Sequence, residues 1–149
     1  MVHALREIWR VLAPDSLLLD LRPLSGAWPV EVVSAGGVTV TGHVDESEDV
    51  ADDRAADAAL AAVAQAGLFA RERDGAFDFS WYWDSLGEAQ AHIAEKWPEA
   101  RVPEEVLAET QRQMARAGEG ARVRATARVV ISRWRRLGHL KPFAIGYEM

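Results

Sequence analysis

An α/β fold is expected from three features of the 149-residue sequence. Leu5, Ile8, Trp9 and Leu12 fall at helical spacing immediately before the apolar run Leu17-Leu18-Leu19-Asp20-Leu21. Two further stretches, Phe77–Asp84 and Arg122–Arg136, alternate with the period of two that a strand requires. Between these strands lie segments with helical spacing and terminal signals. Helices interleaved with strands imply one α/β domain over residues 1–137, followed by an irregular tail, 138–149.

The segment Leu5–Pro23 reads as helix, turn and strand. Pro14, Asp15 and Ser16 break the helical period and supply turn chemistry. The run Leu17–Leu21 hardly alternates, which is the pattern of a strand covered on both faces. It ends at Asp20 and Arg22, and in open α/β sheets ligands bind beyond the carboxyl ends of strands. Asp20 and Arg22 are therefore candidate substrate-binding residues.

Val30–Val44 reads as a β-hairpin: β-branched runs flank Ala35-Gly36-Gly37, where glycine meets the positive φ of a tight turn. Val38, Val40 and Val44 are expected on one face, with Thr39, Thr41 and His43 on the other. The acidic stretch 45–53 reads as a loop leading into a helix from about Asp53 to Ala66. Ala56, Ala59, Leu60 and Val63 form the buried stripe of that helix, Asp52 or Asp53 its cap and Gly67 its stop.

In FDFSWYWD, residues 77–84, Phe77, Phe79, Trp81 and Trp83 share one face and are expected to dominate the core. The end of this row, Trp83 with Asp84, is the second pair of candidate substrate-binding residues. Ser85 and Glu88 form a capping-box pattern for a helix that turns Leu86, Ala89 and Ile93 inward, and Pro98 ends it. His92 on that helix reads as a surface or half-buried residue. Pro103 opens the next helix, whose stripe is Val106, Leu107, Thr110 and Met114 and whose stop is Gly118.

In the last strand, Val123, Ala125, Ala127, Val129 and Ile131 form the inward row and Arg122, Arg124 and Arg128 the other. An arginine row suits a phosphate or carboxylate ligand. The simpler reading, favoured here, is cross-strand pairing with acids such as Asp78 and Asp84. The tail is expected to pack Phe143 and Tyr147.

The first element also resembles a known family. Leu5, Glu7, Arg10, Val11, Leu12 and Pro14 match the pattern L-x-E-x-x-R-V-L-x-P-G-G found at helix E and strand 5 of class I S-adenosylmethionine-dependent methyltransferases. Asp15 and Ser16 stand where that family has two glycines. The later segments 77–89 and 123–134 are similar, more weakly, to its late strands. The resemblance implies a partial Rossmann-like methyltransferase sheet of strands 5, 6 and 7, with strand 7 antiparallel between the other two, an inserted hairpin and flanking helices. The family holds its cofactor on a glycine-rich turn and an acidic strand end upstream of this element. The resemblance therefore implies a truncated or split methyltransferase-like polypeptide that binds no S-adenosylmethionine alone and does so only when a partner half completes it. The alternative is a noncatalytic assembly or ligand-binding module of the same ancestry, acting as a dimer.

Composition excludes several other chemistries. There is no cysteine, so disulfides, thiolate catalysis and Cys-ligated metals are ruled out. The sequence holds no G-x-G-x-x-G, Walker A, H-E-x-x-H or G-x-S-x-G pattern, and its four histidines stand singly. No catalytic residue is assigned, and no metal ligand set. A net charge of −6 argues against nonspecific nucleic-acid binding, which needs excess cation. No run approaches the ~18 apolar residues of a membrane span, and no secretory pattern opens the chain, so a cytoplasmic protein is expected. An apolar strand edge at Leu17–Leu21 calls for a partner, either a second copy or a separate cofactor-binding chain.

Overall fold

The computed structural model describes residues 1–46 and 49–138. These form four helices and five strands: α1 (Val2–Val11), β1 (Leu17–Pro23), β2 (Ala27–Ser34), β3 (Gly37–Asp45), α2 (Val50–Gln65), β4 (Phe69–Trp83), α3 (Leu86–Lys96), α4 (Glu104–Ala117) and β5 (Arg122–Arg136). The fold is α/β with an antiparallel sheet. Its strand order is β1-β5-β2-β3, and β4 also pairs with β5. By contacts the chain divides into two compact units. One holds Met1–Leu21, Arg54–Gly75 and the chain from Val130; the other holds Arg22–Asp53 and Ala76–Val129. The expected tail contacts of Phe143 and Tyr147 lie outside the described residues.

In the first unit Leu5, Ala59, Leu60, Val63, Leu68, Phe69 and Trp134 form the core, with Ile8, Trp9, Leu12 and Leu18 packed against it. The stripes expected on α1 and α2 are thus the ones used. At the end of α1 the Trp9 carbonyl accepts from Arg136 Nε at 2.8 Å. The same guanidinium lies 4.4 Å from the Trp9 ring centroid. This cation satisfies an orphan carbonyl at the negative end of the helix dipole, which is why an arginine is tolerated 7% exposed.

The turn after α1 is closed by Ser16 N–H donating to the Ala13 carbonyl at 3.2 Å, with Pro14 and Asp15 at its centre. Asp15 has φ 61°, the left-handed region that glycine occupies without cost. Asp15→Gly is accordingly expected to stabilise the protein by about 0.5–1 kcal/mol, read as a rise in the urea midpoint. An unchanged or lower midpoint would show that the Asp15 side chain compensates for its backbone strain.

Strand β1 corrects one expectation. It is covered on one face only: Leu18 packs into the core, while Leu17, Leu19 and Leu21 are 44%, 61% and 58% exposed. The apolar run comes from an uncovered face, and the strand stands at the end of the strand order.

In the second unit β2 and β3 form the expected hairpin, closed by the Ser34↔Gly37 pair. The predicted face of β3 is wrong, because Val30 pairs with Gly42 but Glu31 with Val40. Thr41 is therefore an extra residue, a bulge that inverts the alternation. Val44 is fully buried, whereas Val38 and Val40 are exposed. The bulge also brings Gly42 under α4, where a Cβ would collide with the Val106 side chain. Thr41 Oγ1 donates to the Val30 carbonyl at 3.1 Å and lies 2.7 Å from Thr110 Oγ1 on α4.

Helices α3 and α4 bury Ala89, Ile93, Val106 and Thr110, as their stripes imply. Ser85 Oγ accepts from Glu88 N–H, and Glu88 returns a carboxylate to the Asp84 N–H, one residue before the cap. Pro103 is the N-cap of α4 rather than its first residue.

Strand β4 begins at Phe69, not Phe77. The charged segment Arg71–Asp74 gives no apolar alternation, and its strand form follows from pairing with β5. Of the four aromatics expected in the core, Trp83 is buried and Trp81 partly so. Phe77 and Phe79 are 43% and 47% exposed. Strand β5 has the expected bounds and buries Val123, Ala125, Ala127 and Val129. Past Val129 the burial phase shifts to Ser132, Trp134 and Arg136, leaving Ile131 exposed.

Candidate functional site

The four candidate residues divide between the two units. Asp20 belongs to the first unit, where its Oδ2 accepts from Ser132 Oγ at 3.3 Å. Ser132 in turn accepts from Trp134 Nε1 at 2.7 Å. The serine is buried and held from both sides, an arrangement that orients Asp20 rather than activating a nucleophile. The other three lie in the second unit. Arg22 donates to the Asp53 carbonyl at 3.3 Å. Asp53, expected as a helix cap, uses its carboxylate on Ser25 N–H at 2.7 Å, tying the loop between β1 and β2 to the start of α2.

Trp83 is 8% exposed in a group of rings. Trp97 stands at its centre, 6.3 Å from Trp83, 4.7 Å from Trp81 and 5.2 Å from Trp28 by ring centroids. His92 lies 5.4 Å from Trp83 and 5.3 Å from Trp97, half-buried as expected. The gap beside Trp83 measures only about 10 Å³, too small for a ligand. Trp83 therefore supports the sheet from within the core.

Asp84 is mostly exposed and pairs with Arg122 at 2.8 Å. It is one of a row of cross-strand partners, with Ser80 against Thr126 at 2.8 Å and Asp78 against Arg128 at 3.0 Å. The pairing anticipated for the arginine face is thus the one observed. The outer pairs are solvated and contribute little.

The inner member of the row is different. Arg124 Nε meets Glu31 Oε2 at 2.6 Å, with the two side chains 23% and 11% exposed. Arg124 Nη1 also donates to the Tyr82 hydroxyl at 3.4 Å. The Tyr82 ring lies 5.3 Å from the Arg122 guanidinium and 5.9 Å from that of Arg124. The hydrogen bond to Glu31, and then that to Tyr82, hold Arg124 still more firmly protonated than a free arginine. Neither partner was identifiable beforehand. Glu31 sits 93 positions away within a run of valines, and Tyr82 alternates with tryptophans in a row read as core.

A cleft of about 340 Å³ near these residues is walled by Leu24, Ser25, Trp28, Asp78, Thr126 and Arg128. Its two charged walls are paired with each other, so its rim is electrically balanced. Elsewhere, burial, and after it the charges of Asp49 and Asp45, push the Glu46 carboxyl above its ordinary range. No group of metal-binding side chains occurs among the described residues. Nor is any helix among them long and apolar enough to cross a membrane.

No family model, curated protein or solved structure matches the chain.

Proposed function

We propose that this chain is the part of a class I methyltransferase-type sheet that runs from strand 5 to strand 7, and that it holds no S-adenosylmethionine without a cofactor-binding half. One observation carries the reading. Strand β5 is the last of the described strands, yet it pairs antiparallel with both β1 and β4. That is the order and direction the resemblance of Leu5–Pro14 implies. Two local features support it. The left-handed φ of Asp15 falls where the family has glycine, and the uncovered leucines of β1 suit a strand from the middle of a larger sheet. The hairpin departs from a simple insertion, because β2 joins the sheet through β5. In this reading Asp20 in the first unit, and Arg22 and Asp84 in the second, are substrate-side residues, and Trp83 supports Asp84 from within its own unit.

Calorimetric titration of the purified chain with S-adenosylmethionine is expected to give no binding heat. Micromolar binding would sink the claim that a second half is required. The second reading, a noncatalytic assembly module of the same ancestry, is favoured by the same exposed edge of β1. Proteins of either kind would need a partner there, a cofactor-binding chain or a second copy.

A further inference from the structure

We infer that the edge of β1 that no described strand covers pairs antiparallel with β1 of a second copy, about a two-fold axis through Leu21. The inference stands on the edge and not on the methyltransferase reading.

Three strands have an edge without a strand partner among the described residues, and two of them carry the devices that discourage pairing. Strand β3 is bulged at Thr41 and bridged at Asp45 to Arg101. Strand β4 presents Arg71, Glu72, Arg73 and Asp74 in succession, then Gly75. Bulges and charges of this kind protect exposed edges. Strand β1 has no bulge and no run of charges: its two charged residues, Asp20 and Arg22, are of opposite sign and separated by Leu21, and the side chains of its exposed face are Leu17, Leu19 and Leu21. Its only such device is Pro23, at the last position.

The direction of its backbone groups follows from the pairing with β5. Arg136 N–H donates to the Ser16 carbonyl at 2.8 Å and Leu24 N–H to the Arg128 carbonyl at 2.7 Å. Even-numbered positions therefore turn their N–H and C=O groups toward β5. Odd-numbered ones, Leu19 and Leu21 among them, turn theirs to the free edge.

The charges select the register. With the axis at Leu21, Asp20 of each copy stands opposite Arg22 of the other, giving two cross-strand ion pairs. An axis at Asp20 would oppose two aspartates, and one at Leu19 would set Asp20 against Leu18. Opposite charges directly across strands stabilise and like charges destabilise. Both residues keep their partners within the chain. A carboxylate with two oxygens and a guanidinium with five N–H donors accommodate one more. A two-fold contact of this kind is closed, so association stops at the dimer. A cofactor-binding half would compete for the same edge.

The test is light scattering of the full chain across a concentration series, with circular dichroism to verify folding of each variant. The wild type is expected to approach twice the monomer mass. Leu19→Pro removes an N–H that β5 does not use, and it is expected to raise the dimer dissociation constant on the order of 10-fold or more. Arg22→Asp, which opposes like charges twice, is expected to do the same. The charge exchange Asp20→Arg with Arg22→Asp is expected to restore the dimer. A wild type that stays monomeric throughout overturns the inference. So does a dimer indifferent to Leu19→Pro, or one that the charge exchange fails to restore. Each outcome is independent of the S-adenosylmethionine titration.

Discussion

Truncating Trp83 to alanine is expected to cost about 3–5 kcal/mol of unfolding free energy, the range for large aromatic deletions in a packed core. Total stabilities of single domains are about 5–15 kcal/mol, so this one change removes a large share. The reason is position. Trp83 is 8% exposed and packs with Val30, Ile93 and Val123 around a gap of only about 10 Å³, so the neighbours cannot collapse far into the space it leaves. The variant also loses an edge contact with Trp97 and a tilted ring contact with His92. The comparison variant is Phe79→Ala, from the same face of the same strand. Phe79 is 47% exposed and touches Trp81 edge-on at 4.8 Å. Its loss is expected to cost about 0.5–1.5 kcal/mol, the worth of one such aromatic contact. Urea unfolding of both variants measures the difference. Equal costs would mean that the aromatic row is uniformly core, as the alternation alone suggests.

That comparison marks where the sequence was legible. Period and capping carry information about a residue's immediate neighbours, so α1, α3, α4, the hairpin and the bounds of β5 were all readable. So was the pairing of Arg122 and Arg128 with Asp84 and Asp78, because alternation fixes which side chains share a face. What period two cannot reveal is whether a face is covered. Leu17, Leu19 and Leu21 read as doubly buried and are exposed, while Phe77 and Phe79 read as core and are not. An apolar run states a capacity for burial, and coverage depends on elements distant in sequence. The bulge at Thr41 was hidden for a related reason. One extra residue inverts every side chain beyond it, and only the partner strand determines where it falls. Candidate residues chosen at strand ends inherited the same blindness. The carboxyl ends of β1 and β4 were located to within two residues, but Trp83 turned out to be packed under α3 and Asp20 to be held by a serine 112 positions away.

Glu31→Ala is expected to destabilise the protein by about 2 kcal/mol, and the double variant Glu31→Leu with Arg124→Met by much less. Removing one member of a buried ion pair typically costs about 3–5 kcal/mol, because the other charge is left desolvated without a counter-charge. Here the cost falls below that range, since Arg124 is 23% exposed and keeps the Tyr82 hydroxyl and ring. Replacing both members by apolar groups of similar volume removes the desolvated charges together, and such replacements are often neutral. A double-mutant cycle in urea measures the coupling directly. A near-additive result would show that the 2.6 Å contact contributes little beyond the solvated pairs beside it. A strongly coupled result would identify Glu31, Arg124 and Tyr82 as one unit holding β2, β5 and β4 in register. The outer pairs, Arg122 with Asp84 and Arg128 with Asp78, would then remain exchangeable at the surface, where a ligand of the arginine face would have to displace an aspartate to bind.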